Sequence, residues 1–193
     1  IAAQTDNGVG MAGTSWGARL MPIRAADSSG NITSTAACAG LQFAISNGAK
    51  VVNMSFRFPF GPSGMETYSN VLASAAASGL ILVAAAGNDA GIYPEVMPAS
   101  HKDVIAVGAL ASTDTIKVKN PSIPGDWGSN TGAWVDVVAP GVDIVVAQWN
   151  GGAFGFVQSG PQASGTSLAA PFVSGLAALL VAQNPGVSST TIV

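Results

Sequence analysis

Leu80-Ile81-Leu82-Val83-Ala84-Ala85-Ala86-Gly87-Asn88 is an unbroken apolar run that stops on a glycine and an amide. A short run that is apolar at every position reads as a strand covered on both faces, as in a parallel sheet. The flanking sequence agrees. Upstream, Met65–Ser78 places Tyr68, Leu72 and Ala75 on one helical face, and Gly79 stands just past its end. Before it come a second strand-like run, Lys50–Phe56, a helix over Ser34–Asn47 with Cys38, Leu41 and Ile45 at i, i+3 and i+7, and a further strand over Arg19–Ala25. Downstream, Val104–Leu110 supplies another apolar run. Strands alternating with amphipathic helices predict βαβ crossovers and an α/β fold. From Trp134 onward, Trp134–Ala139, Ile144–Gln148 and Phe154–Gln158 read as short strands, broken by Pro140-Gly141 and Asn150-Gly151-Gly152 and including an antiparallel hairpin. The last element is a long helix, Ser167–Gln183. It is small-residue-rich and apolar on nearly every side, so it is expected to run through the interior.

Composition narrows the function. The 193 residues are 48% apolar and only 9% charged, which excludes intrinsic disorder and predicts one turn-dense domain over 1–193. Seven basic residues face ten acidic ones without a basic stripe, so nucleic acid is not an expected partner. A single cysteine, Cys38, and a single histidine, His101, exclude an internal disulfide and a Cys/His zinc site. The greasy stretch Leu168–Ala182 is shorter than the roughly 18 residues of a membrane span and carries Pro171, Ser174 and Gly175, so no membrane association is expected. The chain opens on Ile1 and stops at Val193 without a tail, and is read as a piece of something longer.

Two serines stand in motifs. Gly13-Thr14-Ser15-Trp16-Gly17 matches G-x-S-x-G, but a nucleophile elbow needs a strand before it and a helix after it, and here a glycine-rich loop precedes and a strand follows. It is read as a loop. Ser164-Gly165-Thr166-Ser167-Leu168-Ala169-Ala170-Pro171 opens the long helix instead. A serine there is either an N-cap or a nucleophile beside unpaired N–H groups and the positive end of the helix dipole, which favour a developing oxyanion. Asn88, at the exit of a parallel strand, is either a turn residue or a second oxyanion donor at the carboxyl edge of the sheet.

Over nearly its whole length the chain resembles the subtilisin-like serine endopeptidases. The resemblance rests on Val51-Val52-Asn53-Met54-Ser55, Val83-Ala84-Ala85-Ala86-Gly87-Asn88, Val104-Ile105-Ala106-Val107-Gly108-Ala109, Val138-Ala139-Pro140-Gly141 and Gly165-Thr166-Ser167-Leu168-Ala169-Ala170-Pro171, in the family's order. It implies a three-layer α/β/α fold with a mostly parallel sheet, lacking the family's first strands and part of its His-bearing helix. It implies Ser167 as nucleophile and Asn88, with the Ser167 N–H, as oxyanion hole. It also implies that Ser55-Phe56-Arg57 and Ala85-Ala86-Gly87 are backbone edges on which a protein or peptide substrate pairs as an extra strand, flanking the pocket for the P1 side chain. Arg57 stands where the family usually has Gly, which narrows the pocket or biases it toward acidic side chains. Leu168 and Phe172 replace a commoner Met and His, and Phe172 is expected to pack within the helix layer.

By the same resemblance, the catalytic Asp and His belong upstream. Ile1-Ala2-Ala3-Gln4 is read as the remainder of the His-bearing helix, and the family's first strand is expected between Arg19–Ala25 and Lys50–Phe56. His101 is read as a solvated loop residue rather than a substitute base. The chain alone is therefore expected to be inactive, and insoluble or molten. Asp6-Asn7-Gly8-Val9-Gly10-Met11 resembles the family's calcium loop, with Asn7 offering its side chain and Val9 and Met11 their carbonyls; a plain glycine-rich loop reads equally well. No cofactor is expected for the chemistry, calcium being structural only. The resemblance further implies a secreted, monomeric parent. Two other readings stay open, a pseudo-peptidase that only binds peptides and an esterase using Ser15.

Overall fold

The computed structural model describes residues 1–92, 95–149, 151–157 and 163–192. Gln158 and Asn150, which fall in the expected hairpin, lie outside the described residues. In chain order the elements are α1 (Ser34–Ser46), β1 (Val51–Met54), α2 (Glu66–Ala77), β2 (Ile81–Ala85), β3 (Asp89–Ile92), β4 (Val104–Leu110), β5 (Gly128–Thr131), β6 (Val137–Pro140), β7 (Val146–Trp149), β8 (Phe154–Val157), α3 (Thr166–Gln183) and α4 (Ser189–Ile192).

The central sheet runs β1-β2-β4-β6, all parallel, with Val83 opposite Asn53 on one side and Ile105 on the other. Alternation along β2 divides the core into two. Leu82 and Ala84 face α1 and α2, packing with Leu41, Tyr68 and Leu72, whereas Ile81, Val83 and Ala85 face α3, packing with Ala169, Ala170, Val173 and Ala177. This is the expected three-layer α/β/α arrangement. The small residues of α3 let its backbone lie close to the sheet, and Gly175 admits Thr14, whose side chain leaves no room there for a Cβ.

Helix ends follow the sequence. Thr33 caps α1 by accepting from the Ala36 N–H at 3.1 Å, and Gly48, at φ +72°, takes the left-handed conformation just beyond it. Within α3, Pro171 has no N–H for the carbonyl of Ser167, four residues back. Ser55 Oγ supplies the donor instead, at 2.9 Å. A helix defect thereby ties the β1 exit to the start of α3.

Several expectations are corrected. Arg19–Ala25 is no strand: no described strand lies beside it, Leu20 and Met21 are exposed, and the nearest regular pairing is the single bridge Ala26–Ile32. An extended run without a neighbour has no ladder to join. Residues 1–4, expected as helix, are not helical. Instead, the carbonyls of Ile1 and Ala3 accept from the N–H groups of Ser15 and Gly13. Buried positions of α3 end at Ala177; Leu176 and Leu179 are exposed because the face away from the sheet has no described layer over it. By length and composition α3 could cross a membrane, but it packs along β1, β2, β4 and β6. The hairpin is present as β7 and β8, in antiparallel pairing. The two-stranded parallel sheet of β3 and β5 was not legible, being built of Asp, Asn, Ser and Gly rather than of apolar alternation.

Candidate active site

The carboxyl ends of parallel strands point their last residues into a common crevice. β2 delivers Asn88 there, after Gly87, whose φ of +103° is left-handed. α3 begins at the same edge with Thr166 and Ser167. Thr166, fully buried, joins the two: its N–H and its Oγ1 both lie 2.9 Å from Asn88 Oδ1, and its Oγ1 accepts from the Gly87 N–H at 3.0 Å. With Oδ1 committed to α3, the Asn88 amide nitrogen is the end left for the cleft. Gly165 is needed beside it, because its φ is +149° and a Cβ would lie 3.3 Å from Asn88 Nδ2.

Ser167 is half-buried, and its Oγ donates to the Ser55 carbonyl at 3.2 Å. Ser55 Oγ accepts from Asn53 Nδ2 and the Asn53 Oδ1 accepts from Ser174 Oγ, both at 2.9 Å. A polar chain thus fixes the β1 exit against α3. The Ser167 N–H lies in the first turn of the helix, where N–H groups have no intrahelical acceptor. Between these elements is a cleft of about 170 Å³, lined from β2 by Ala85, Gly87 and Asn88, from α3 by Thr166 and Ser167, and from the β1 exit by Phe56 and Arg57, with Asp89 at its side. The Ala86–Gly87 wall spends its backbone internally: Ala86 N–H donates to Val107 O, Gly87 N–H to Thr166, and both carbonyls accept from Asn130.

The model of the subtilase family matches residues 1–193. The chain belongs to the subtilase family. It is 38% identical over 182 residues to the thermophilic serine proteinase of Bacillus sp. (strain AK1), covering 94% of this chain and 40% of that one. With subtilisin DY of Bacillus licheniformis it shares 34% identity over 193 residues, covering 98% and 64%. Among solved structures, the proteases from Pseudoalteromonas arctica PAMC 21717 align with TM-score 0.84 and 27% identity, covering 100% of this chain and 59% of that chain. The chain thus spans about two-fifths to two-thirds of the length of these subtilases.

The remaining sites of interest lie apart from this cleft. Ser15 is buried in a turn, with its N–H on the Ile1 carbonyl, and no strand enters Gly13. His101 is buried, not solvated as expected. It precedes β4 and so lies at the amino edge of the sheet, opposite Ser167, with Nδ1 accepting the Asp103 N–H at 3.2 Å and a hydrogen bond to the Ser69 backbone. Burial lowers its pKa from the ordinary value, outweighing the attraction of Asp103. A histidine that resists protonation when folded stabilises fully above its unfolded pKa of about 6.5 and progressively less as the pH falls below it. Melting temperatures across pH 7 to 5 should therefore fall more steeply for the native protein than for His101→Gln; parallel curves would contradict this.

The glycine loop does not assemble a metal site by itself. Asn7 Oδ1 accepts the Val9 N–H at 3.0 Å, and among the described residues no three His, Cys, Asp or Glu side chains meet. Asn7, Val9 and Met11 thus fall short of the six to eight oxygens of calcium.

Thr166, Asn130 and Asp89 are the site residues that motif reading missed. Asn130 is fully buried; its Nδ2 donates to Ala86 O at 3.0 Å and Asp89 Oδ2 at 3.1 Å, its Oδ1 accepts the Asp89 N–H at 2.8 Å, and its N–H holds Gly87 O at 2.9 Å. It fixes the turn that presents Asn88. Its signal was a lone amide within Gly128-Ser129-Asn130-Thr131, a pattern that also reads as a plain turn. Asn130→Leu should cost about 3 kcal/mol, because the buried partners it leaves behind stay unsatisfied; an unchanged denaturation midpoint would contradict that role.

Proposed function

We propose that this chain carries the nucleophile and oxyanion hole of a serine endopeptidase that hydrolyses peptide bonds through an acyl-enzyme on Ser167. The observation that supports the reading is the stapling of Asn88 by Thr166, which commits Oδ1 to α3 and leaves the amide nitrogen as the spare donor of a residue that lines the cleft with Ser167. Attack by Ser167 on a carbonyl held there would push charge onto its oxygen, between two preorganised donors. The acyl-enzyme then divides one difficult step into two.

The proton needs an acceptor. A serine hydroxyl is a poor nucleophile until an imidazole takes its proton and a carboxylate orients that imidazole. His101, the sole histidine of these 193 residues, is at the other edge of the sheet. The base and its carboxylate therefore belong to residues outside this sequence, and no cofactor enters the chemistry. Ser55-Phe56-Arg57 and Ala85-Ala86-Gly87 flank the substrate, a protein or peptide. Any calcium would be structural, using Asn7, Val9 and Met11 together with ligands from elsewhere. By family the protein is secreted and acts as a monomer.

The test is a comparison of the full-length protein with residues 1–193 alone on a chromogenic peptide. The full-length protein is expected to hydrolyse it and the piece to be nearly inert and to melt without a cooperative transition. Efficient hydrolysis by 1–193 would place the base within it and overturn this reading. The position of His101 also favours a second reading, a pseudo-peptidase that binds peptides without cleaving them. That reading requires the full-length protein to bind and not turn over.

A further inference from the structure

The β1 exit and the start of β3 each bring one charge to the same cleft. Arg57 Nη2 donates to Asp89 Oδ1 at 2.7 Å, with the two side chains 34% and 24% exposed. Neither group is loosely placed. Asp89 is held by Asn130 at both its N–H and its Oδ2, and Asn130 is fully buried. The Arg57 stem lies over Gly87, where a Cβ would come 3.3 Å from Arg57 Cδ. Both residues line the cleft together with Ser167 and Asn88.

We propose that the Arg57–Asp89 ion pair is a crossbar over the P1 pocket that confines the substrates to peptides with small, uncharged P1 side chains. The inference rests on the peptidase reading above. An acidic P1 side chain has to draw Arg57 away from Asp89, and a basic one has to draw Asp89 away from Arg57; either leaves a partly desolvated charge without its charge-assisted hydrogen bond. A large apolar side chain has to lift the arginine stem off Gly87. Arg57 therefore does not recruit acidic side chains, because its guanidinium is already paired. Selection works here by what the pocket refuses.

The experiment is a P1 profile of the full-length protein on peptides ending in Ala, Phe, Lys or Glu before the scissile bond, read as kcat/KM and as the affinity of the matching peptide aldehydes. The native protein should prefer Ala. Arg57→Met keeps the stem and exposes the Asp89 carboxylate, so Lys should gain about tenfold relative to Ala while Phe stays poor. Arg57→Gly should admit Phe as well. Asp89→Asn keeps the contacts to Asn130 and removes the carboxylate opposite Arg57, so Glu should gain instead. A native preference for Glu, or profiles unchanged in Arg57→Met and Asp89→Asn while a fluorophosphonate still labels Ser167, overturns the crossbar alone. Absence of both labelling and aldehyde binding in the native protein overturns the peptidase reading and the crossbar with it.

Discussion

Replacing Ser167 by alanine is expected to abolish peptide hydrolysis by the full-length protein while hardly changing its melting temperature. The loss in kcat should be about 10⁶, the size that removal of the nucleophile has in subtilisin itself and is taken over from there. Stability should move by about 1 kcal/mol or less, because Ser167 Oγ makes one hydrogen bond, 3.2 Å long and only half-buried, to Ser55 O. The bond that compensates for Pro171 uses the Ser167 carbonyl, which alanine keeps. The N-cap of α3 is Gly165 and no side chain caps it, so a large fall in melting temperature would mean that Ser167 serves chiefly to tie α3 to the β1 exit through Ser55 O. Retained hydrolysis would remove it from the chemistry altogether.

Asn88 should give the second largest effect, and two substitutions separate its two ends. Asn88→Ala removes the amide donor, and the loss in kcat is expected at about 10²–10³ with KM nearly unchanged, again the size found for this donor in subtilisin. It also strips Thr166 Oγ1, which is fully buried, of its acceptor at 2.9 Å, which should cost about 1–3 kcal/mol of stability. Asn88→Asp keeps an oxygen for the Thr166 N–H and hydroxyl but puts a negative charge where the oxyanion forms. It should lose as much kcat as Asn88→Ala and much less stability. Equal kcat in native and Asn88→Asp proteins, or a loss confined to KM, would contradict the oxyanion role.

The sheet was legible because β2 is apolar at every position and the flanking helices keep their periodicity: Tyr68, Leu72 and Ala75 form the buried face of α2 as their spacing predicts. Arg19–Ala25 was misread because an apolar run states only that a segment tolerates burial; a strand also needs a partner, and none is described beside it. Ser167 and Asn88 stood out as polar residues at the ends of apolar elements. Thr166, Asn130 and Asp89 did not, since their hydrogen-bond partners belong to segments far away in sequence, backbone groups for Thr166 and Asn130 and the Arg57 and Asn130 side chains for Asp89. Thr166 reaches back to Gly87 and Asn88, and Asn130 to Ala86 and Asp89. Long-range polar pairing leaves no periodic trace. Nor does a lone histidine in a polar loop reveal that α2 will cover it, as happens to His101.

Labelling the full-length protein with a fluorophosphonate, followed by peptide mapping, decides whether Ser167 is the nucleophile. A single adduct is expected on the peptide that carries Ser167, lost in Ser167→Ala and strongly slowed in Asn88→Ala. An adduct on Ser15, or labelling that survives Ser167→Ala, would contradict it.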